Sequence, residues 1–148
     1  MNILIAPNPI LSKAAEIVTD IPSAIKLGLE MLLLLEKHGN CVGLAAPQVG
    51  ESIRLFVASK DGTAKNGSIF INPEITTFGQ LIEKEEGCLS IPGEVFKVKR
   101  PEHVSIKFIN QDGREINRTV GGKLSRIYQH EYDHLVGKLI SEGNVKCG

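Results

Sequence analysis

The first strong pattern along the chain is a helical spacing of apolar residues between Asp20 and Asn40. Ile25, Leu29 and Leu32 recur three or four positions apart, and the apolar run from 31 to 35 broadens the same face. Polar side chains and a proline open this segment, and a glycine closes it. The pattern therefore predicts one core helix in the N-terminal part of the chain.

The middle of the chain carries short apolar or alternating segments separated by glycine, proline and asparagine. Residues 41–50 predict a tight extended segment followed by a turn, because small residues and a proline dominate them. Clean alternation at 104–109 predicts a half-buried strand, and a hairpin turn follows it at Gly113. Further strands are predicted at 53–59, 68–71, 74–84, 95–100 and 115–120, with a bulge or turn at Gly79 and a strand end at Pro101.

A second helix is predicted near the C-terminal end, from about residue 123 to 136, and Gly137 ends it. The chain shows no internal repeat and no linker. This order predicts an α+β fold, with antiparallel strands around a C-terminal metal-binding helix and one N-terminal helix. We expect a single domain over residues 1–148.

Composition and charge argue against several functional classes. Lys and Arg together number 17, as do Asp and Glu, so the formal net charge of zero gives no basis for nucleic-acid binding. The apolar run from Met31 to Leu35 is too short to cross a bilayer, and the N-terminus lacks the basic start of a signal peptide. Three cysteines fit a reducing compartment. We therefore expect a cytoplasmic protein without a membrane partner.

One short motif in the second helix indicates chemistry. His130, Glu131 and His134 form the pattern H-E-x-x-H, which places both imidazoles one turn apart on the same helical face. Two such imidazoles can bind one metal ion, and the glutamate between them can carry the proton of an activated water. The alternative is a pair of packed helix histidines beside a solvated glutamate. The motif favours the metal site.

Several residues are candidates for a third ligand. One group of metalloproteases extends the motif to a third histidine, but that position here is Ile140. Because the tail is too short for another ligand helix, we expect the ligand upstream, where the candidates are Cys88, Cys41, His38 and His103. Cys88 is favoured because it lies in a glycine-rich stretch that a proline ends. A Cys-His-His set leaves a fourth position for water, which is typical of a catalytic site.

Three stretches of the sequence resemble the signature motifs of the peptide deformylase family. They occur in the order and at the spacing of that family, and the resemblance covers nearly the whole chain. The stretches are Gly43-Leu44-Ala45-Ala46-Pro47-Gln48, Glu86-Gly87-Cys88-Leu89-Ser90 and Gln129-His130-Glu131-Tyr132-Asp133-His134.

The resemblance implies a ferrous metallohydrolase that removes the formyl group from the initiator methionine of nascent polypeptides and releases formate. Zn2+, Ni2+ or Co2+ would also suit the ligands. Glu131 would act as general base and then as general acid. Gln48 would donate its side-chain amide, and Leu89 its backbone N–H, to the developing oxyanion. The implied metal ligands are Cys88, His130 and His134.

The resemblance also implies the substrate contacts and the partners. Gly43 would belong to the strand that pairs with the substrate backbone, and Glu86 would lie at the substrate cleft. N-formylmethionyl peptides at the ribosome exit would be the partners of a monomeric enzyme. The implied substrate-binding residues are Val42, Gly43, Leu44, Glu86 and Gly87.

The sequence departs from the family pattern at three places. Cys41 stands where the first motif usually begins with glycine, and Lys123 and Arg126 interrupt a helix face that is usually apolar. Because this face helps form the methionine pocket in the family, we expect a shallower pocket or an added contact to an acidic peptide. The chain also ends soon after the second helix, as in compact members that include bacteriophage enzymes. A virus-encoded enzyme would act in the host cytoplasm.

Two other functions are consistent with the metal motif alone. A metallopeptidase that cleaves internal peptide bonds would need a third ligand other than Cys88. A non-enzymatic binding module would hold a structural metal, and the presence of both Glu131 and Gln48 argues against it.

Overall fold

The computed structural model describes residues 1–148, and two helices and six strands form its framework. Short 3-10 turns at Pro9–Ser12 and Ala46–Val49 complete it. The elements in chain order are α1 (Ile21–His38), β1 (Gly43–Ala45), β2 (Leu55–Ala58), β3 (Ser68–Cys88), β4 (Ile91–Ile109), β5 (Glu115–Gly121), α2 (Gly122–Leu135) and β6 (Val145–Lys146).

The strands form one antiparallel sheet in the order β1-β2-β3-β4-β5, and β6 pairs with β4 beside this path. Both predicted helices are present, and five of the six strands lie between them in the sequence. The structure therefore confirms the predicted α+β fold. No helix is long and apolar enough to span a membrane.

Two predicted strand breaks are wrong: the gap between residues 71 and 74 and the end at Pro101. Strands β3 and β4 continue through them as long strands. The predicted end at Pro101 lies inside β4, opposite Leu81, where the pairing register shifts. A proline fits there because an irregular ladder does not require its missing N–H. Gly79, with a φ of 93°, lies within the same shift, which confirms the predicted bulge. The tail strand β6 was not predicted.

Helix α1 covers one face of the sheet. Asp20 caps it by accepting a hydrogen bond from Ser23 N at 3.2 Å, and Gly39 follows its last residue. Its buried residues pack on alternate positions of the strands. These core residues include Met31, Leu32, Leu35, Leu55, Val57, Ile69 and Ile71.

Helix α2 covers the opposite face, because the intervening strand residues point to the other side. Phe70 lies at the centre of this layer, with its ring centroid 4.5 Å from that of Phe56 and 4.7 Å from that of Tyr128 in α2. Ile127 and Leu135 of the helix are buried in the same core. This packing fixes the face of α2 that carries the H-E-x-x-H motif.

Candidate active site

The H-E-x-x-H motif lies in the C-terminal half of α2, and its His130 and Glu131 line a cleft. The rings of His130 and His134 have their centroids 5.3 Å apart, and His134 is almost completely buried. Glu131 is 5% exposed, and its Oε2 lies 4.0 Å from His130 Nε2. The helix therefore brings both imidazoles and the carboxylate into one small volume.

Cys88 joins these histidines from the end of β3. Its Sγ lies 3.5 Å from His134 Nε2, and the ligand atoms of Cys88, His130 and His134 all lie within 4.8 Å of one another. Of the four upstream candidates, only Cys88 belongs to this cluster. Cys41 lines the same cleft without joining the ligand set, and the ring of His103 stacks on Phe78 with centroids 5.1 Å apart. His38, the remaining candidate, is the last residue of α1.

The donor set fits a divalent metal ion. His130 Nδ1 hydrogen-bonds to Glu86 Oε1 at 2.9 Å, which leaves Nε2 for the cluster, as in many carboxylate–histidine–metal sites. Glu131 Oε1 is buried and has no hydrogen-bond partner in the protein. One thiol, two imidazoles and an adjacent free carboxylate oxygen are the groups that catalytic metal sites use.

The electrostatic environment of the cluster also favours a bound cation. Burial disfavours a charged His130, but the negative charge of Glu131 and the hydrogen bonds to Cys88 and Glu86 outweigh it and raise the pKa of His130 to about 10. Burial raises the pKa of Glu131 to about 7, against the opposing effect of His130. A carboxyl group with a pKa in this range is suited to both accepting and returning a proton.

Gly43 in β1 forms the wall opposite Glu131. A Cβ at this position would lie 2.5 Å from Glu131 Oε2, so only glycine leaves space for the carboxylate. Gly43 pairs with Ala58 of β2 on one side, and β1 is the last strand of the sheet on the other. An extended peptide can therefore pair with this open strand edge.

The Gln48 side chain is buried and held in one orientation. Its Oε1 accepts a hydrogen bond from Ala45 N at 2.9 Å. Its Nε2 donates to Ser90 Oγ at 3.1 Å and lies 3.5 Å from Cys88 Sγ. The amide donor is therefore fixed beside the ligand cluster.

A cleft of about 770 Å³ brings together most of the residues singled out in the sequence. Leu44 differs, because its side chain is completely buried in the core beneath α1, which leaves only its main chain for a substrate. His134 lies behind the cleft wall. The predicted site residues that line the cleft are Val42, Gly43, Gln48, Glu86, Gly87, Cys88, Leu89, His130 and Glu131.

Glu86 lies at the cleft as expected, but its carboxylate contacts protein groups rather than open space. Burial opposes its charge, yet hydrogen bonds from His130 and Arg100 hold its pKa well below the usual range. Arg100 Nε and Nη2 donate to it at 2.6 and 2.9 Å, and Arg100 Nη1 donates to Asp133 at 2.9 Å. Glu86 therefore orients His130.

Sequence reasoning missed this network. Asp133 and Arg126 contact Arg100 and Glu86 from α2. The only available signal was a pair of charged residues close to the histidines, which is common on solvated helix faces. The contact between Glu86 and Arg100 depends on the register of β3 against β4, which places Glu86 opposite Phe96. This long-range register could not be obtained from the local pattern of charges.

The fold and the site together define an α+β protein with a Cys-His-His group that could hold a metal ion. The polypeptide deformylase family model matches residues 1–146. The chain therefore belongs to the polypeptide deformylase family.

Individual relatives agree with this assignment. The chain is 41% identical to peptide deformylase 1 of Clostridium perfringens over 139 residues, which are 93% of each protein. It is 40% identical to the peptide deformylase of Thermodesulfovibrio yellowstonii over 136 residues, 90% of this chain and 82% of the relative.

Solved structures give the same result. A peptide deformylase from Plasmodium falciparum matches with a TM-score of 0.89 and 35% identity, over 97% of this chain and 86% of its own. A peptide deformylase from Synechococcus elongatus, crystallised with actinonin, matches with a TM-score of 0.89 and 33% identity, over 98% and 79%.

Proposed function

We propose that this chain removes the formyl group from N-formylmethionyl peptides and releases formate. The observation that carries the proposal is the convergence of Cys88, His130 and His134 beside Glu131, within a cleft that the open edge of β1 borders. Membership of the deformylase family supplies the reaction class. We also propose that residues 1–148 form one catalytic domain, because all six strands belong to one sheet.

Cys88 Sγ and the imidazoles of His130 and His134 would hold one divalent metal ion. When bound, such an ion polarises the formyl oxygen and lowers the pKa of a water molecule. We propose Fe2+ as the physiological ion, while Zn2+, Ni2+ and Co2+ also suit the ligands. The thiolate makes the ligand set electron-rich and sensitive to oxidation.

Protein groups perform the remaining steps of hydrolysis. Glu131 accepts the proton of the attacking water and delivers it to the amine as the C–N bond breaks. Gln48 Nε2 and the N–H of Leu89 donate to the formyl oxygen as negative charge develops there. Gly43 pairs with the peptide backbone as an added strand, which holds the formyl carbon near Glu131.

The proposed substrates also define the partners and the location. N-formylmethionyl ends occur on newly synthesised polypeptides, so we propose that the enzyme acts as a monomer in the cytoplasm near the ribosome exit. If the gene is viral, this is the cytoplasm of the host.

Arg126 does not provide the expected contact to an acidic peptide, because its guanidinium is bound to protein acceptors. Lys123 Nζ donates to the carbonyl of Lys60 at 3.1 Å.

The test is formate release from a formyl-Met tripeptide by protein loaded with iron under anaerobic conditions. We expect turnover by the wild type and almost none by Glu131→Gln, which removes the proton carrier and leaves the three ligands in place. A folded, metal-loaded wild type that releases no formate would refute the proposal. Cleavage of the unformylated tripeptide would instead support a metallopeptidase.

A further inference from the structure

Arg126 is a cleft residue that the deformylation reaction does not use. It lies in α2 one turn before His130, and its side chain is 15% exposed. Its Nη1 donates to Glu86 Oε2 and, at 3.1 Å, to the carbonyl of Val98. Its Nη2 donates to the same carbonyl and to that of Ile82. Both terminal nitrogens are therefore bound to protein acceptors.

These contacts connect α2 to β3, the two elements that supply the proposed metal ligands. Cys88 comes from β3, whereas His130 and His134 come from α2. Ile82 belongs to β3 and Val98 to β4, so Arg126 attaches the helix to both strands of the hairpin. The separation of Cys88 Sγ from the two imidazoles depends on the position of this hairpin relative to the helix.

Arg126 also completes the charge balance around Glu86. The network contains two carboxylates, Glu86 and Asp133, and two guanidinium groups, Arg100 and Arg126. The Glu86 side chain is 7% exposed, and a buried charge that loses a partner is strongly destabilised. Without Arg126, Arg100 would be the only arginine for both carboxylates.

The Glu86 carboxylate transmits this arrangement to a metal ligand. Oε2 accepts hydrogen bonds from both arginines, while Oε1 accepts from Arg100 and contacts His130 Nδ1 at 2.9 Å. A partner of this kind sets the ring orientation and tautomer of a ligating histidine. A carboxylate that rotates after losing one donor therefore reorients the His130 ring.

We propose that Arg126 is a positioning residue for the metal centre, which fixes the Glu86 carboxylate and the β3–β4 hairpin relative to α2. The inference rests on the proposed function only for the existence of the metal site. It gives this departure from the family pattern a role in holding the metal rather than in reading the peptide.

The experiment compares metal release from wild type, Arg126→Met, Arg126→Lys and a control, Arg118→Met. Methionine keeps most of the aliphatic stem in the cleft but removes the charge and all donors. Arg118 is a matched control because its Nη1 donates to Tyr128 of the same helix at 3.0 Å, away from the ligands. Each protein is loaded with Co2+, its absorption spectrum is recorded, and the loss of Co2+ to excess chelator is followed. Thermal unfolding of each protein reports stability separately.

We expect Arg126→Met to release Co2+ about 10-fold to 100-fold faster than wild type, with a shifted spectrum. Arg126→Lys should lie between the two, because one ammonium cannot replace the planar fork of donors. Arg118→Met should keep the wild-type spectrum and release rate even if its unfolding temperature falls. If Arg126→Met does not fold, Arg126→Lys decides the question by the same measurements.

Wild-type release and spectrum in the folded Arg126 variants would overturn the inference. So would an equal change in Arg118→Met, because general destabilisation would then explain the effect. Cys88→Ala, measured in parallel, separates the two proposals. If it retains Co2+ as wild type does, the proposed metal site fails; if it alone loses Co2+, only the role of Arg126 fails.

Discussion

The helix α2 and the β3–β4 hairpin contribute to the same site, but different forces hold them in place. Helix α2 lies on a layer of packed aromatic rings, with Tyr128 against Phe70, and its two proposed metal ligands are one turn apart. The hairpin delivers Cys88 across 46 positions of sequence, and charge pairs such as Arg100 with Asp133 connect it to the helix. The helix half of the site is therefore local and apolar in origin, whereas the hairpin half is long-range and ionic.

The strongest test of this comparison is to remove the single ligand that the hairpin supplies. Cys88→Ala should weaken metal binding by more than about 100-fold. Losing a residue that only supports a ligand costs up to about 100-fold in metal affinity, and losing the ligand itself should cost more. Metal content after gel filtration against a chelator measures this. Cys41→Ala is the control, since Cys41 lines the cleft but is not in the ligand cluster. Full metal content in Cys88→Ala would mean that the helix alone forms the site.

The same contrast explains how much could be predicted from the sequence. The helix half was predicted because H-E-x-x-H has helical spacing, so the positions of His130 and His134 follow from local geometry. Cys88 could only be favoured among four candidates, and the resemblance to a family was needed to assign it. Two features were missed: the continuation of β4 through Pro101 and the tail strand β6. The local pattern of residues does not reveal pairing with a distant strand.

Gln48 lies between the two halves and tests whether the site needs more than the metal ligands. Gln48→Ala should lower kcat about 100-fold to 1,000-fold, because it removes one donor to the developing oxyanion. The metal content should change much less than in Cys88→Ala, although Nε2 lies 3.5 Å from Cys88 Sγ. Steady-state formate release and metal analysis on the same sample measure both effects. Unchanged kcat would remove Gln48 from its catalytic role.

Gly43 tests the fit between the helix carboxylate and the edge strand. Gly43→Ala should lower kcat about 100-fold, because the new Cβ displaces the Glu131 carboxylate and small displacements at a reacting group are costly. Gly28→Ala is the matched control, since its Cβ would approach the Ile69 side chain at 2.8 Å in the core. The control should lose stability and keep its kcat. Normal formate release by Gly43→Ala would show that Glu131 has room to adjust.

Removing a side-chain contact between the tail strand β6 and the hairpin should have the smallest effect of these changes. Lys146 Nζ pairs with Glu94 at 2.9 Å, but the two side chains are 59% and 38% exposed. Such an exposed pair contributes little, so Lys146→Ala should lower the free energy of unfolding by less than about 1 kcal/mol. Because the partly buried contact of Arg100 with Asp133 already holds the hairpin against α2, kcat and metal content should stay at wild-type values. Chemical denaturation and formate release measure the two quantities, and a loss of metal would show that the tail, rather than the ionic network, positions the hairpin.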